Sequence, residues 1–173
     1  MSRSKKLIVT ALFLIGACIL LYPAVSNKLA ERHQAEMISR YEQTVEELPK
    51  TDLKSEWEKA VKYNESVTGM SVEDPFILGS GSVLPGNYKD VLNVEEKEGV
   101  MGYIEIPAID VMLPIYHGVS ERVLRRGVGH METTALPIGG KGTHSVLASH
   151  RGLSTAKLFT DLDRMKEGDL FYI

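Results

Sequence analysis

The chain has 173 residues, 43% apolar and 25% charged, the composition of a folded protein and not of a disordered or fibrous one. Its single cysteine excludes an intrachain disulfide scaffold. The net charge of −3 hides an asymmetry. Residues 1–25 hold three basic residues (Arg3, Lys5, Lys6) and no acid, and the remainder carries 17 basic and 23 acidic residues, a net of −6. An acidic body is a poor partner for polyanions, which argues against nucleic acid.

Leu7 to Val25 is a run of 19 residues without a charge. At ~1.5 Å per residue it nearly crosses a ~30 Å hydrocarbon core. The basic residues just before it predict a cytoplasmic N-terminus and export of everything after Val25. Three forms are open. The run is an uncleaved signal anchor, the preferred reading, or a secretory signal cut near Ala24-Val25-Ser26, or a lipoprotein signal with Ile15-Gly16-Ala17-Cys18 as its lipobox. Against the last, Ile19-Leu20-Leu21-Tyr22 stays apolar where a lipoprotein should turn polar.

Ser26 to Leu48 reads as a polar helix with a narrow apolar stripe (Leu29, Met37, Tyr41, Val45, Leu48), ended by Pro49. Asp52 to Asn64 reads as a second helix with Leu53, Trp57, Ala60 and Val61 on one face. Residues 26–64 are therefore expected to be a helical stalk between a membrane anchor (1–25) and the rest of the chain. Residues 65–98 are expected to be a loop and connection. Gly69, Gly79, Gly81, Gly86, Pro75 and Pro85 make Glu65 to Asn87 a long loop by composition, yet it carries Phe76, Ile77, Leu78, Val83 and Leu84. A Gly/Pro loop with apolar anchors suggests a cover over something.

The pattern turns to β at residue 99. Val100, Gly102, Ile104 and Ile106 alternate with Met101, Tyr103 and Glu105, and a second alternating run covers Val111 to Tyr116. Ser120 to Arg126 is a short helix with Ser120 as N-cap and Gly127 as its stop. Thr143 to Ser149 is a strand, Ser154 caps another short helix to Phe159, and Leu170-Phe171-Tyr172-Ile173 begins a strand. Because this run is apolar and has no turn after it, the barrel or sheet is expected to be unfinished.

Four histidines, His117, His130, His144 and His150, fall within 34 residues. No His-x-His or His-x-x-x-His pair occurs among them, so no metal site is expected. His150 stands at a strand end before Arg151-Gly152, where a general acid or base is commonly presented to a cleft. A surface or core histidine is the alternative. Ser149 is a poor nucleophile candidate, because neighbouring strand residues point to opposite faces. Arg125-Arg126 reads as the solvated end of a helix, favoured by its dipole.

Several ordered blocks then carry a resemblance: Met101-Gly102-Tyr103-Ile104-Glu105-Ile106-Pro107, Leu113-Pro114-Ile115-Tyr116-His117-Gly118, Gly127-Val128-Gly129-His130, Leu136-Pro137-Ile138-Gly139-Gly140, and His144 to Leu153. Leu158 to Leu162 and Gly168 to Ile173 continue it, and Tyr63-Asn64 and Asp74-Pro75-Phe76 precede it. Together they resemble the first half of a sortase, most closely class C, the pilus-building sortases of Gram-positive bacteria. The resemblance implies a mainly β fold: a sortase β-barrel, incomplete over residues 99–173, behind a transmembrane helix and N-terminal α-helices. It implies a cysteine transpeptidase without cofactor. A thiolate cleaves a Leu-Pro-x-Thr-Gly sorting signal of a pilin or surface protein, and the acyl group passes to a pilin lysine. It places the enzyme in the cell membrane with its domain outside. His150 matches the family histidine, although Ala148-Ser149 before it departs from the usual Thr-Gly or Ser-Gly. Asp74, Pro75 and Phe76 match a lid over the nucleophile.

The family's nucleophile lies in a Thr-Cys block on a later strand, followed by an arginine for the oxyanion. Neither is among these residues: Cys18 lies in the membrane segment, and Arg125, Arg126 and Arg151 do not match the arginine block. The chain is therefore expected to be a truncated, inactive fragment, poorly soluble because strand edges are left open. Two other readings remain. One is a non-catalytic membrane-anchored β module that binds sorting signals, and the other is an extracytoplasmic lipoprotein.

Overall fold

The apolar run and the polar helix after it form one element. A computed structural model of the chain describes residues 3–69, 87–94 and 99–173. In it α1 runs unbroken from Arg3 to Glu47. Pro23 lies inside it, which removes one backbone donor without ending the helix. The first part of α1 is long and apolar enough to cross a membrane, and none of its most apolar window is buried in the protein. Further along, Gln34, Met37 and Ile38 are buried, and the Gln34 amide donates to the carbonyl of Arg126 at 3.1 Å. One helix thus leaves the apolar segment and joins the folded domain.

Pro49 precedes α2 (Lys50–Val67). Ala60, Tyr63, Asn64 and Val67 of α2 are buried, and Ala60, Tyr63 and Val67 belong to the hydrophobic core. Within residues 26–64, therefore, side chains of both helices are buried in the fold. Parts of both helices are buried with the sheet.

The sheet has four strands among the described residues, in the order β1 (Val100–Ile106), β2 (Val111–His117), β3 (Val128–His130) and β4 (Leu147–Ala148). β1 and β2 are antiparallel, joined by a 3-10 turn over Pro107–Ile109 that closes on Asp110 at φ 52°. Strict alternation fails at the start of β1. The register shifts between Val100 and Gly102, a bulge that buries Val100 and Met101 together. β2 and β3 are parallel, so the chain crosses over between them through the short α3 (Glu121–Leu124). Ser120 is the N-cap, its hydroxyl accepting from the Val123 amide. Gly127 follows α3, and sterics demand it: a Cβ there would lie 2.6 Å from the Pro114 carbonyl oxygen.

Three expected elements are shorter or different. The strand expected over 143–149 reduces to Leu147–Ala148, because its partner turns away after His130. Thr134 bonds back to Met131, and pairing continues only through Met131 to Val146 and Ala135 to His144. Residues 154–159 make turns in place of a helix. Leu158 takes φ 44° and is buried with Ala156 and Phe159, so core packing overrides the helical pattern. Leu170 to Ile173 touches the sheet through one bridge, Glu105 with Tyr172, made by two hydrogen bonds of 3.0 and 2.9 Å. Among the described residues the barrel is not closed. An open apolar cavity of about 600 Å³ lies on the core face, lined by Ile104, Leu136, Leu147, Phe159, Phe171 and Ile173 among others.

Candidate active site

β4 delivers His150. Gly129 pairs with Ala148 and His130 with Leu147, so the strand leading to the histidine is held from β3. The Ser149 hydroxyl donates to the Gly127 carbonyl at 2.6 Å, which ties the outgoing chain to the exit of α3. That bond also leaves Ser149 engaged as a structural tie. The Phe159 amide donates to the His150 carbonyl at 3.2 Å. Gly152, at φ 77°, turns the chain, and its amide donates to Thr160 Oγ1 at 3.2 Å. Arg151 pairs with Asp163 at 2.7 Å. The backbone at 149–152 is thus fixed on several sides, while the imidazole keeps 31% of its side-chain surface exposed. This is the geometry of a group available for proton transfer.

Among the described residues the ring meets one carboxylate. Nε2 of His150 lies 3.3 Å from each oxygen of Glu121, on the first turn of α3. Arg125, one turn on, donates from Nε to Glu121 Oε1 at 2.6 Å. The Arg125 hydrogen bond and charge, with His150 adding, hold the Glu121 carboxyl below the usual carboxylate range. Glu121 gave no signal in the sequence beyond standing four residues before Arg125.

The other histidines are placed for different work. His130 is fully buried. Its Nε2 bonds the Ala135 carbonyl at 2.9 Å, and its Nδ1 lies 2.9 Å from the Tyr88 hydroxyl. Burial pushes its pKa down to about 4, so it is a neutral ring joining β3 to residues 88 and 135. His117 reaches the carbonyls of Val91 and Gly99 with its two ring nitrogens. His144 is exposed. Among the described residues no group of three or more His, Cys, Asp or Glu is arranged to hold a metal ion. Arg125 caps Glu121 as a helix-end residue, whereas Arg126 lies over the Tyr116 ring at 5.2 Å and near His33 of α1. The pair is therefore split between surface and packing roles.

Asp74, Pro75 and Phe76 lie outside the described residues. Both flanks of that stretch are described, and they meet. The rings of Tyr63 and Tyr88 stand 5.6 Å apart. The Asn64 side chain bonds both the amide and the carbonyl of Leu136, at 2.7 and 3.1 Å. The Tyr88 hydroxyl accepts from the Gly118 amide at 3.0 Å. Burial pushes Tyr63 up to about 12 and Tyr88 higher still, so both phenols stay neutral. Cys18 is exposed on α1, sixteen residues before Gln34 in the same helix. At ~1.5 Å per residue that is ~24 Å short of the point where Gln34 bonds the domain.

Comparison with known proteins is consistent in one direction. A family profile described as Sortase domain matches residues 104–173. Sortase A of Listeria monocytogenes is 28% identical over 171 residues, 98% of this chain and 67% of the relative. Among solved structures, Sortase C of Streptococcus pneumoniae aligns with a TM-score of 0.69 at 41% identity, over 79% of this chain and 67% of that one; its description concerns catalysis and pilin substrate specificity. Sortase C1 of Streptococcus agalactiae aligns with a TM-score of 0.69 at 38% identity, over 79% and 68%, and a solved lid mutant of that protein matches as well. The chain spans about two-thirds of the length of these relatives.

Proposed function

Since this chain belongs to the sortase family, whose members are cysteine transpeptidases, we propose that it carries the histidine side of a pilin-joining active site. The observation that supports this is the presentation of His150 at the open end of β4, in a fold that aligns with class C sortases at about 40% identity. In this reading a cysteine thiolate attacks the threonine carbonyl of a Leu-Pro-x-Thr-Gly signal. The Thr–Gly bond breaks, and His150 gives its proton to the departing glycine amine. A pilin lysine amine then attacks the thioester and returns a proton to His150. The apolar part of α1 anchors the chain, and the basic residues before it keep the N-terminus inside and the domain on the extracellular face.

Asp74, Pro75 and Phe76 belong in this reading as a lid. The contact between Tyr63 and Tyr88 at the two flanks supports it, since it brings the ends of the intervening stretch together. So does the existence of a lid in the Streptococcus agalactiae relative.

The 173 residues contain one cysteine, exposed on the apolar helix. The full chain in detergent micelles is therefore expected to leave a Leu-Pro-x-Thr-Gly peptide uncut, and turnover would overturn this account of the nucleophile. The enzyme reading itself is tested on the DNA beyond the codon for Ile173, in all three frames. A Leu-x-Thr-Cys-like block with a later arginine is expected, and in the protein that contains it His150→Ala should abolish peptide cleavage. Absence of the block, or cleavage unaffected by His150→Ala, would leave the second reading. That reading is a membrane-anchored module that binds sorting signals without cutting them, and the position of Cys18 favours it for these residues alone.

A further inference from the structure

We propose that Glu121 is the positioning residue of His150: its carboxylate, held by Arg125, accepts the hydrogen bond from the Nε2 proton and leaves the Nδ1 lone pair for proton transfer. This rests on the reading of His150 as the proton-transfer group, and it adds a residue that the resemblance did not supply.

Four observations carry it. Nε2 lies 3.3 Å from both carboxylate oxygens, so either one serves as acceptor. Glu121 is itself restrained, by the Ser120-capped turn that bears it and by Arg125 at 2.6 Å. α3 and the end of β4 are tied together through Ser149 and the Gly127 carbonyl, so the two partners do not drift independently. Among the described residues no other side chain makes a hydrogen bond or ion pair with the ring.

The chemistry is set by the donor inventory of imidazole. A neutral ring has one N–H and one lone pair. A carboxylate accepts only, so it selects the form with the proton on Nε2, and the lone pair then sits on Nδ1. Once Nδ1 takes a proton, Glu121 faces a full positive charge at 3.3 Å and balances it. An acidic residue that orients a catalytic imidazole in this way is a recurrent solution in nucleophilic enzymes. Arg125 favours the ionised carboxylate and restrains it at the start of α3.

The test uses the full chain in detergent micelles with ring-labelled histidine, His150 being assigned by its loss in His150→Gln. The nitrogen shifts of the neutral ring report the ratio of the Nε2–H to the Nδ1–H form. Glu121→Gln keeps the shape and loses the charge. It is expected to lower that ratio about two- to fivefold, the range of an exposed ion pair, and Glu121→Asp to restore part of it. Backbone amide spectra should superimpose, because Glu121 is exposed. An unchanged His150 ratio in both Glu121→Gln and Glu121→Ala would overturn the proposal. The readout needs no substrate, so its failure would be distinct from a failure of peptide cleavage in the complete enzyme.

Discussion

Acidification should destabilise the domain through His130. The ring has 0% exposed surface, and its two nitrogens are used by the Ala135 carbonyl and the Tyr88 hydroxyl. Burial lowers its pKa from 6.5 to about 4, against a smaller opposing effect of the Ala135 bond. The unfolded chain therefore binds a proton that the folded chain refuses between these values. Stability is full above about pH 6.5 and falls as pH drops toward 4, because a depressed folded-state pKa favours the neutral form. The loss is about 2.5 kcal/mol by pH 4.5 and about 3.4 kcal/mol at the low-pH limit. That is a large share of the ~5–15 kcal/mol that holds an ordinary domain together. The assay is urea unfolding of the full chain in micelles, followed by near-ultraviolet dichroism of the buried tyrosines, at pH 7.5 and 4.5. His130→Gln supplies a donor to Ala135 and cannot titrate, so carboxylates shared by both proteins cancel in the comparison. The native chain should lose about 2.5 kcal/mol more than the variant. Parallel pH dependence in the two proteins would refute the account of His130 as a buried neutral ring.

Two further outcomes are expected from the packing around that ring. Asn64→Ala removes both bonds to Leu136 and strands a buried amide and carbonyl; it should cost about 2–3 kcal/mol and speed exchange of the Leu136 amide. Gly129→Ala would drive a methyl into the Gly118 carbonyl oxygen, with Val123 and Leu124 also close. It should cost about 3 kcal/mol or more, read as loss of the cooperative urea transition, whereas Gly102→Ala, whose added carbon meets nothing within 4 Å, should keep that transition.

Much of this was legible in the residues themselves. β1 and β2 follow from period-two alternation, and α3 follows from Ser120. His150 was singled out by its place before Arg151-Gly152, and the structure does put it just past a short strand with its ring partly exposed. The bulge at Met101 was not legible, because two buried neighbours look the same as one alternation error. Nor was the unbroken course of α1: charge pattern separates 1–25 from 26–47, but a helix has no reason to end where its solvent changes. Glu121 was invisible because it lies 29 residues from His150, and no local pattern marks two residues brought together by a crossover.

Local chemistry along the chain determined the apolar segment, the strand pair, the capped turn and the candidate histidine, since each depends on residues a few positions apart. Only the tertiary structure decided that α2 enters the core and part of α1 is buried with it, that β3 runs parallel to β2, and that His130 is a buried neutral tie while His150 is partly exposed. The two histidines are the same residue type, one on β3 and the other two residues past the adjoining β4. What separates their chemistry is desolvation, and burial is a property of the packed chain, not of a residue or its neighbours in sequence.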